Sequence, residues 1–259
     1  MISFIVPAYN EEENIRPVVQ TIMAAAKACA LDDYEILLID DGSSDATFAV
    51  MDDMQKSCPA VTVIRNPQNF GLGVSVRSGI AAARAPQFMV VPGDNDMSQA
   101  FIELLLIFRE KAEIILTIPL NKESRSVMRN ILSMVYQMLQ TVTFNVYVNY
   151  INGPGIWPTE KARAVGLNAK RFSIISELNV KLLRSGCSYV ELPGYFNARP
   201  KIRRTVTLKN LIEVVRMYLT LLYEIRVRRR DEFRSRPQRV QIDFAALGKD
   251  QLRLNRKSA

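Results

Sequence analysis

Short apolar runs alternate with helically spaced apolar residues along the first 118 residues of the chain. The run "ISFIVPA" is unbroken, and "EEENIRPVVQTIMAAAKACA" then places Ile15, Val18, Val19, Ile22 and Met23 at the spacing of one helix face. "YEILLIDDGS", "VTVIRN", "QFMVVPGDND" and "EIILTIPL" repeat the first pattern, while "DATFAVMDDMQKSC", "GVSVRSGIAAARA" and "SQAFIELLLIFREK" repeat the second. Strands that are apolar on both faces and separated by helices predict a mostly parallel, Rossmann-like α/β sheet covered on both sides. Such sheets bind ligands beyond the carboxyl ends of their strands. Three of those ends carry acids or amides here: "AYNE", "DDGS" and "GDND".

Beyond residue 120 the rhythm changes. "SVMRNILSMVYQMLQTV" predicts an amphipathic helix, "YINGPGIWP" a turn-rich loop holding the only Trp, and "SIISELNVKLLRSG" a helix closed by Gly186. "YVELPGYFNARPKIRRTV" predicts a strand running into a basic loop. "TLKNLIEVVRMYLTLLYEI" predicts a long helix with Leu208, Leu211, Ile212, Val215, Leu219 and Leu222 on one face and Lys209, Glu213, Arg216, Thr220 and Glu224 opposite. The sequence has no uninterrupted stretch of about 18 apolar residues, so no segment is expected to span a bilayer alone. The expected organisation is one domain over residues 1–205, an amphipathic helix over 206–230 lying on a membrane surface, and a flexible basic tail over 231–259.

Composition narrows the chemistry. The chain has no histidine, which excludes His-based triads, proton shuttles and metal ligands. Cys29, Cys58 and Cys187 are too few and too scattered for a disulfide framework or a zinc knuckle, and they suit a reducing, cytoplasmic compartment. The segment "MISFIVPAYNEEE" does not read as a signal peptide. Residues 226–259 hold eleven Lys/Arg against four Asp/Glu, whereas residues 1–225 hold 23 basic and 22 acidic side chains. Seven of the eight net positive charges therefore lie in residues 226–259, as expected of a segment that meets an anionic membrane. A nucleic-acid binder is disfavoured, because the remainder is nearly neutral and carries no nucleic-acid motif.

Asp94 and Asp96 stand one residue apart at a strand end. Two carboxylates so close repel unless a cation or ligand donors hold them. The bland alternative is that one of them caps the following helix.

Four motifs, "FIVPAYNEEENI", "EILLIDDGSSDAT", "NFGLGVSVRSGIAAA" and "VPGDNDMSQ", occur in the order and spacing of family 2 glycosyltransferases with the GT-A fold, which the chain resembles. Its later part is similar to the branch holding dolichol-phosphate mannose synthase and bacterial polyprenyl-phosphate glycosyltransferases. The resemblance implies a nucleotide-sugar half over 1–118 and an acceptor half over 119–205. It also implies that Pro7, Tyr9, Asn10 and Glu11 hold the nucleotide base and ribose. Asp40, Asp41, Gly42 and Ser43 would join them, one Asp accepting from the base. Asp94, Asn95 and Asp96 match the family's Asp-x-Asp motif, although Asn95 and Gly93 depart from the usual residues. Asp96 is the expected direct ligand of Mg²⁺ or Mn²⁺, and Asp94 is expected on the ribose or on the metal through water. Oxygen ligands suit those ions.

For the acceptor, Glu177 matches the general base of relatives that activate a hydroxyl. A lipid phosphate needs cations instead, and Arg125, Arg129, Arg199, Lys201, Arg203 and Arg204 are the candidates. The favoured expectation is an inverting, metal-dependent transfer from a nucleotide diphosphate sugar to a polyprenyl phosphate at the cytoplasmic membrane face. Its rivals are a hydroxyl-acceptor transferase using Glu177, and a non-catalytic nucleotide-sugar-binding protein. The sugar, the base, the acceptor and a homo-oligomeric state are left open by the sequence.

Overall fold

The computed structural model describes residues 1–120, 127–194 and 208–242. The expected alternation is present: β1 (Ile2–Ala8), α1 (Ile15–Ala28), β2 (Tyr34–Asp40), α2 (Thr47–Ser57), β3 (Val61–Arg65), α3 (Leu72–Ala82), β4 (Gln87–Val90), α4 (Gln99–Phe108) and β5 (Ile114–Pro119). There follow α5 (Val127–Phe144), β6 (Gly155–Pro158), α6 (Thr159–Ala164), α7 (Ile174–Arg184), β7 (Ser188–Gly194), α8 (Leu208–Tyr223), a π-helical turn (Glu224–Arg228) and β8 (Gln238–Arg239). The described strands form one sheet in the order β3-β2-β1-β4-β6-β5-β7-β8. Only β6 runs antiparallel to its neighbours. One apolar cluster, from Ile2 and Phe4 through α1 and α4, covers one face; a second, from Ile5 and Leu37 through α3 and α7, covers the other. Each inward residue of β1 thus alternates between two cores, which is why its seven residues are all buried.

Three expectations are corrected. The segment around Trp157 is the central strand β6, not a loop. Gly155 lets its backbone approach β5, since a Cβ there would lie 2.2 Å from Ile115 O. Trp157 is buried against Phe88 and donates through Nε1 to Asn179 Oδ1 at 2.6 Å. Second, the tail is fixed as far as residue 242: Phe233 is buried, β8 adds to the edge strand β7, and Val240 N–H donates to Tyr189 O at 2.8 Å. An edge strand offers unpaired backbone groups, and a following segment can satisfy them. Third, α8 is not apolar on one face only. Met217, Tyr218, Leu221 and Leu222 pack into the second cluster, whereas Ile212, Val215 and Leu219 are exposed. Glu224, expected on the polar face, is buried.

Among the described residues, no helix is long and apolar enough to cross a membrane.

Candidate active site

From β1 the chain builds outwards through β2 to β3, then returns to place β4 on the other side of β1. The switch point therefore lies between the carboxyl ends of β1 and β4, where a parallel sheet opens a crevice. Two backbone hydrogen bonds draw the three loops together there: Gly93 N–H donates to Pro7 O at 3.1 Å, and Asp41 N–H donates to Ala8 O at 2.9 Å. Gly93 is what permits the first of these. A Cβ on it would stand 2.8 Å from Ala8 Cβ and 3.0 Å from Pro7 O, closer than real contacts allow. A glycine stands three residues past β4 so that the β4 loop can lie against the β1 loop.

The loops after β1 and β2 are fastened to each other. Asn10 takes a left-handed backbone (φ 54°), a conformation that Asn tolerates better than most residues. Its N–H donates to Ser43 Oγ at 3.0 Å, and its Oδ1 accepts from Ser44 N–H at 2.9 Å. Glu11 N–H donates to Thr47 Oγ1 at 2.8 Å. Tyr9 is exposed above this seam.

Asp40 and Asp41 are both buried but differently employed. Asp41 accepts from Asn66 Nδ2 (2.8 Å) and Phe70 N–H (3.1 Å) on one oxygen and from Gly71 N–H (2.8 Å) on the other. It holds the 66–71 loop in place and has spent its lone pairs on the protein. Asp40 Oδ1 accepts from Ser43 N–H at 3.0 Å. Its Oδ2 lies 3.2 Å from Arg65 Nε yet has no hydrogen-bond partner, so charge attraction there is not matched by bond geometry. Gly42, with φ 70°, makes the turn from Asp41 to Ser43, and a side chain there would strike the Gln68 backbone.

Asp94, Asn95 and Asp96 are half-buried on the β4–α4 loop. Asn95 is left-handed (φ 57°), and Asp96 N–H donates to Asp94 Oδ1 at 3.3 Å. The capping alternative fails on geometry: Ser98 is the N-cap of α4, its side chain accepting from Phe101 N–H at 3.3 Å. Among the described residues no group of three or more His, Cys, Asp or Glu side chains converges. Among the described residues this loop offers the two carboxylates of Asp94 and Asp96, with Asn95 between them. That donor set fits Mg²⁺ or Mn²⁺ of the kind completed by phosphate oxygens and water, and does not fit a closed zinc site.

Glu177 does not join this group. It is fully buried in the first turn of α7. Its carboxylate accepts from Asn168 N–H (3.0 Å) and Ala169 N–H (2.7 Å) and pairs with Lys181 Nζ at 2.8 Å. Lys181, also fully buried, pairs with Glu224 at 2.8 Å. The 168–170 loop so held packs on the glycines before and within α3, Lys170 O accepting from Gly73 N–H at 2.9 Å. Glu177 thereby stands one layer behind the crevice, in the ion-pair setting. Arg125, Arg199, Lys201, Arg203 and Arg204 lie outside the described residues; Arg129 is on α5, its side chain outside them.

Sequence reasoning missed Arg65 and Asn66, which meet Asp40 and Asp41 at the end of β3. Both stand at the carboxyl end of the run "VTVIRN", and that position was the available signal. The turn-rich loop "YINGPGIWP" has no part in the expected site, yet the register of β6 brings residues 149–154 to the same edge beside β5, with Thr117 Oγ1 donating to Pro154 O at 2.7 Å.

Known proteins give this crevice its context. Over 97 residues the chain is 29% identical to a dolichyl-phosphate beta-glucosyltransferase of Trichomonas vaginalis, covering 36% of this chain and 29% of that protein. Over 125 residues it is 28% identical to the dodecaprenyl-phosphate galacturonate synthase of Rhizobium johnstonii, covering 48% of this chain and 37% of that one. The matches thus span less than half the length of these relatives. The chain shares its fold, at TM-score 0.60 and 17% identity, with glucosyl-3-phosphoglycerate synthase of Mycobacterium tuberculosis, solved with Mn²⁺, UDP and phosphoglyceric acid; the alignment covers 86% of this chain and 78% of that one. A profile of Glycosyl transferase family 2 matches residues 3–159, more than half of the chain and every loop of the crevice, and the chain belongs to that family.

Proposed function

We propose that this glycosyltransferase moves a sugar, with inversion, from a nucleotide diphosphate sugar to a polyprenyl phosphate at the cytoplasmic face of a membrane. The observation that carries the donor half is the meeting of the β1, β2 and β4 loops at the switch point, with Asp94 and Asp96 on the β4 loop. Tyr9, Asn10 and Glu11 face the base and ribose from one side, with Pro7 at their root, and the Asp40–Ser43 turn from the other. Asp40, whose Oδ2 lacks a hydrogen-bond donor, accepts from the base, while Asp41 keeps the turn rigid. A divalent cation held by Asp96, with Asp94 and Asn95 beside it, would neutralise the diphosphate as it leaves. The acceptor oxygen attacks the anomeric carbon from the face opposite the diphosphate, so one displacement inverts the configuration.

A phosphate acceptor arrives already anionic and needs no base, which suits the enclosure of Glu177. It needs cations, and Arg125, Arg129, Arg199, Lys201, Arg203 and Arg204 are assigned that task. Glu177 is then a positioning residue for the loop behind the nucleotide. The names of relatives that act on dolichyl and dodecaprenyl phosphates support the lipid acceptor.

The test is incubation with membrane lipid extract, Mn²⁺ and a panel of nucleotide sugars, followed by identification of the glycosylated lipid and its anomeric configuration. A sugar–phospholipid of inverted configuration is expected, and Asp96→Asn should reduce its formation by at least about a hundredfold, as loss of metal-assisted charge stabilisation does. Transfer to a hydroxyl, retention of configuration, or full activity of Asp96→Asn would each refute the scheme.

A further inference from the structure

Both long helices beside the sheet leave an apolar face uncovered. On α8, Ile212, Val215, Leu219 and Tyr223 are 50–59% exposed and follow one another at intervals of three and four residues. On α5, Val135, Met138 and Val142 are 48–71% exposed at the same intervals. The carboxyl end of α5 meets α8, where the Thr143 and Tyr218 hydroxyls are hydrogen-bonded and the Arg226 guanidinium donates to Thr143 O. Arg226 is exposed on the π-helical turn that follows α8, and its bond to Thr143 O holds a cation where that turn meets the end of α5.

Arg226 has cationic company. Arg184, at the end of α7, donates through Nε to Phe233 O at 3.0 Å, which holds it at the foot of the turn that carries Arg236. Burial, and then the charges of Arg226 and Arg236, push the Arg184 guanidinium below its ordinary pKa. The acids of this segment are engaged elsewhere: Glu224 with Lys181 and Arg229, Glu232 with Arg229, Asp231 with Arg234. Among the described residues Arg184, Arg226 and Arg236 have no carboxylate partner. Three like charges left together beside an apolar surface are a place for anions, and their repulsion falls when a phosphate enters.

We propose that Arg184, Arg226 and Arg236 bind the phosphate headgroups of an anionic phospholipid bilayer, and that the exposed stripes of α5 and α8 settle into its surface. Interfacial helices pair an apolar face with cations in this way. A second copy of the chain would bring the same arginines to the same place, whereas a bilayer supplies phosphate and hydrocarbon together. The inference rests on the membrane-face reading above and fixes which part of the molecule touches the lipid.

Co-sedimentation with phosphatidylglycerol vesicles, phosphatidylcholine vesicles and inorganic phosphate tests it. The whole chain should bind the anionic vesicles in a salt-sensitive manner and the neutral ones weakly. The triple variant Arg184→Gln, Arg226→Gln, Arg236→Gln should bind anionic vesicles about a hundredfold more weakly, from roughly 1 kcal/mol per arginine near an anionic surface. Arg16→Gln, Lys27→Gln and Lys56→Gln, which remove the same charge far from the stripes, should change binding little. Unchanged melting of both triples shows that folding is not the cause. Equal loss in both triples, equal binding to neutral vesicles, or phosphate binding without vesicle binding would overturn the site. Sugar transfer to a short-chain polyprenyl phosphate in detergent is measured alongside. Transfer retained while vesicle binding fails overturns this inference alone, and transfer absent in the parent overturns the functional reading.

Discussion

Replacing Glu177 with Gln takes one charge out of a site that no water reaches. In the parent, one carboxylate oxygen accepts from Ala169 N–H at 2.7 Å and from Asn168 N–H, while the other pairs with Lys181 Nζ at 2.8 Å. The amide can keep only one of these arrangements. With its NH₂ towards Ala169 two donors confront each other; with its NH₂ towards Lys181 a donor confronts a cation. A hydrogen bond to a charged group contributes about 1.5–3 kcal/mol, and breaking a buried pair costs about 3–5 kcal/mol. Lys181 keeps Glu224 at 2.8 Å, which moderates the loss. We expect about 3 kcal/mol of destabilisation, a fall in Tm of about 6–12 °C for a chain of this size. The assay pairs urea denaturation with initial transfer rates measured well below the variant's Tm. Per folded molecule, kcat should stay within about threefold, less than 1 kcal/mol of barrier. A general base contributes about 10²–10⁴-fold. A rate loss of that size with unchanged Tm would refute the positioning role and restore Glu177 as the base of a hydroxyl-acceptor enzyme. In a Lys181→Met background the same substitution should cost less, because the pair is already broken.

Gly93→Ala should press a methyl against Ala8 and Pro7 O, part the β1 and β4 loops, and cost about 1–3 kcal/mol of stability. UDP or GDP binding measured calorimetrically with Mn²⁺ should weaken about tenfold, the equivalent of 1.4 kcal/mol. Unchanged affinity would show that the close approach does not shape the crevice. For pH, burial raises the Glu35 carboxyl, but hydrogen bonds from Arg84 N–H, Ser3 Oγ–H and the Arg84 guanidinium outweigh it and leave its pKa lowered. Glu113 is lowered likewise, burial again being outweighed, here by Lys161 and Ser188. A lowered carboxyl stabilises the fold above its unfolded pKa, about 4.3, and that contribution fades as pH falls through the folded value. The urea midpoint should therefore hold from neutrality to about pH 5 and decline below it. Glu35→Gln should start lower and fall less steeply; an equally steep decline would remove Glu35 from the account.

The β–α alternation of residues 1–118 could be read from sequence because β1, β2 and β4 bury both faces, and an unbroken apolar run has few other uses. The elements that were missed lack that signature. β6 is four residues long, with Gly and Pro at its ends, and it owes its place to the close approach at Gly155 and to the Trp157–Asn179 hydrogen bond, partners far away in sequence. β8 has two residues and exists because β7 offers an open edge. The reading of α8 failed for a related reason. A helix apolar on two faces does not declare which face the core takes, and the choice rests on Phe144, which stacks edge-on against Tyr218.

The site divides along the same line. The proposed cation needs carboxylates that sit together, and one intervening residue keeps Asp94 and Asp96 together whatever the remainder of the chain does. That necessity is local, so it is written locally. Asp40 and Asp41 are equally adjacent, yet their duties diverge because Asp41 meets Asn66, Phe70 and Gly71, supplied by a loop some thirty residues on. No spacing rule within "DDGS" distinguishes the carboxylate fastened to the 66–71 loop from the one proposed to meet the base. Glu177 makes the point more sharply: its place in the first turn of a helix suits a base, and only the amides of Asn168 and Ala169 and the ammonium of Lys181 reveal that its oxygens are already taken. Adjacent residues can therefore announce a chemistry, but a lone acid's role is decided by neighbours that only the fold brings to it.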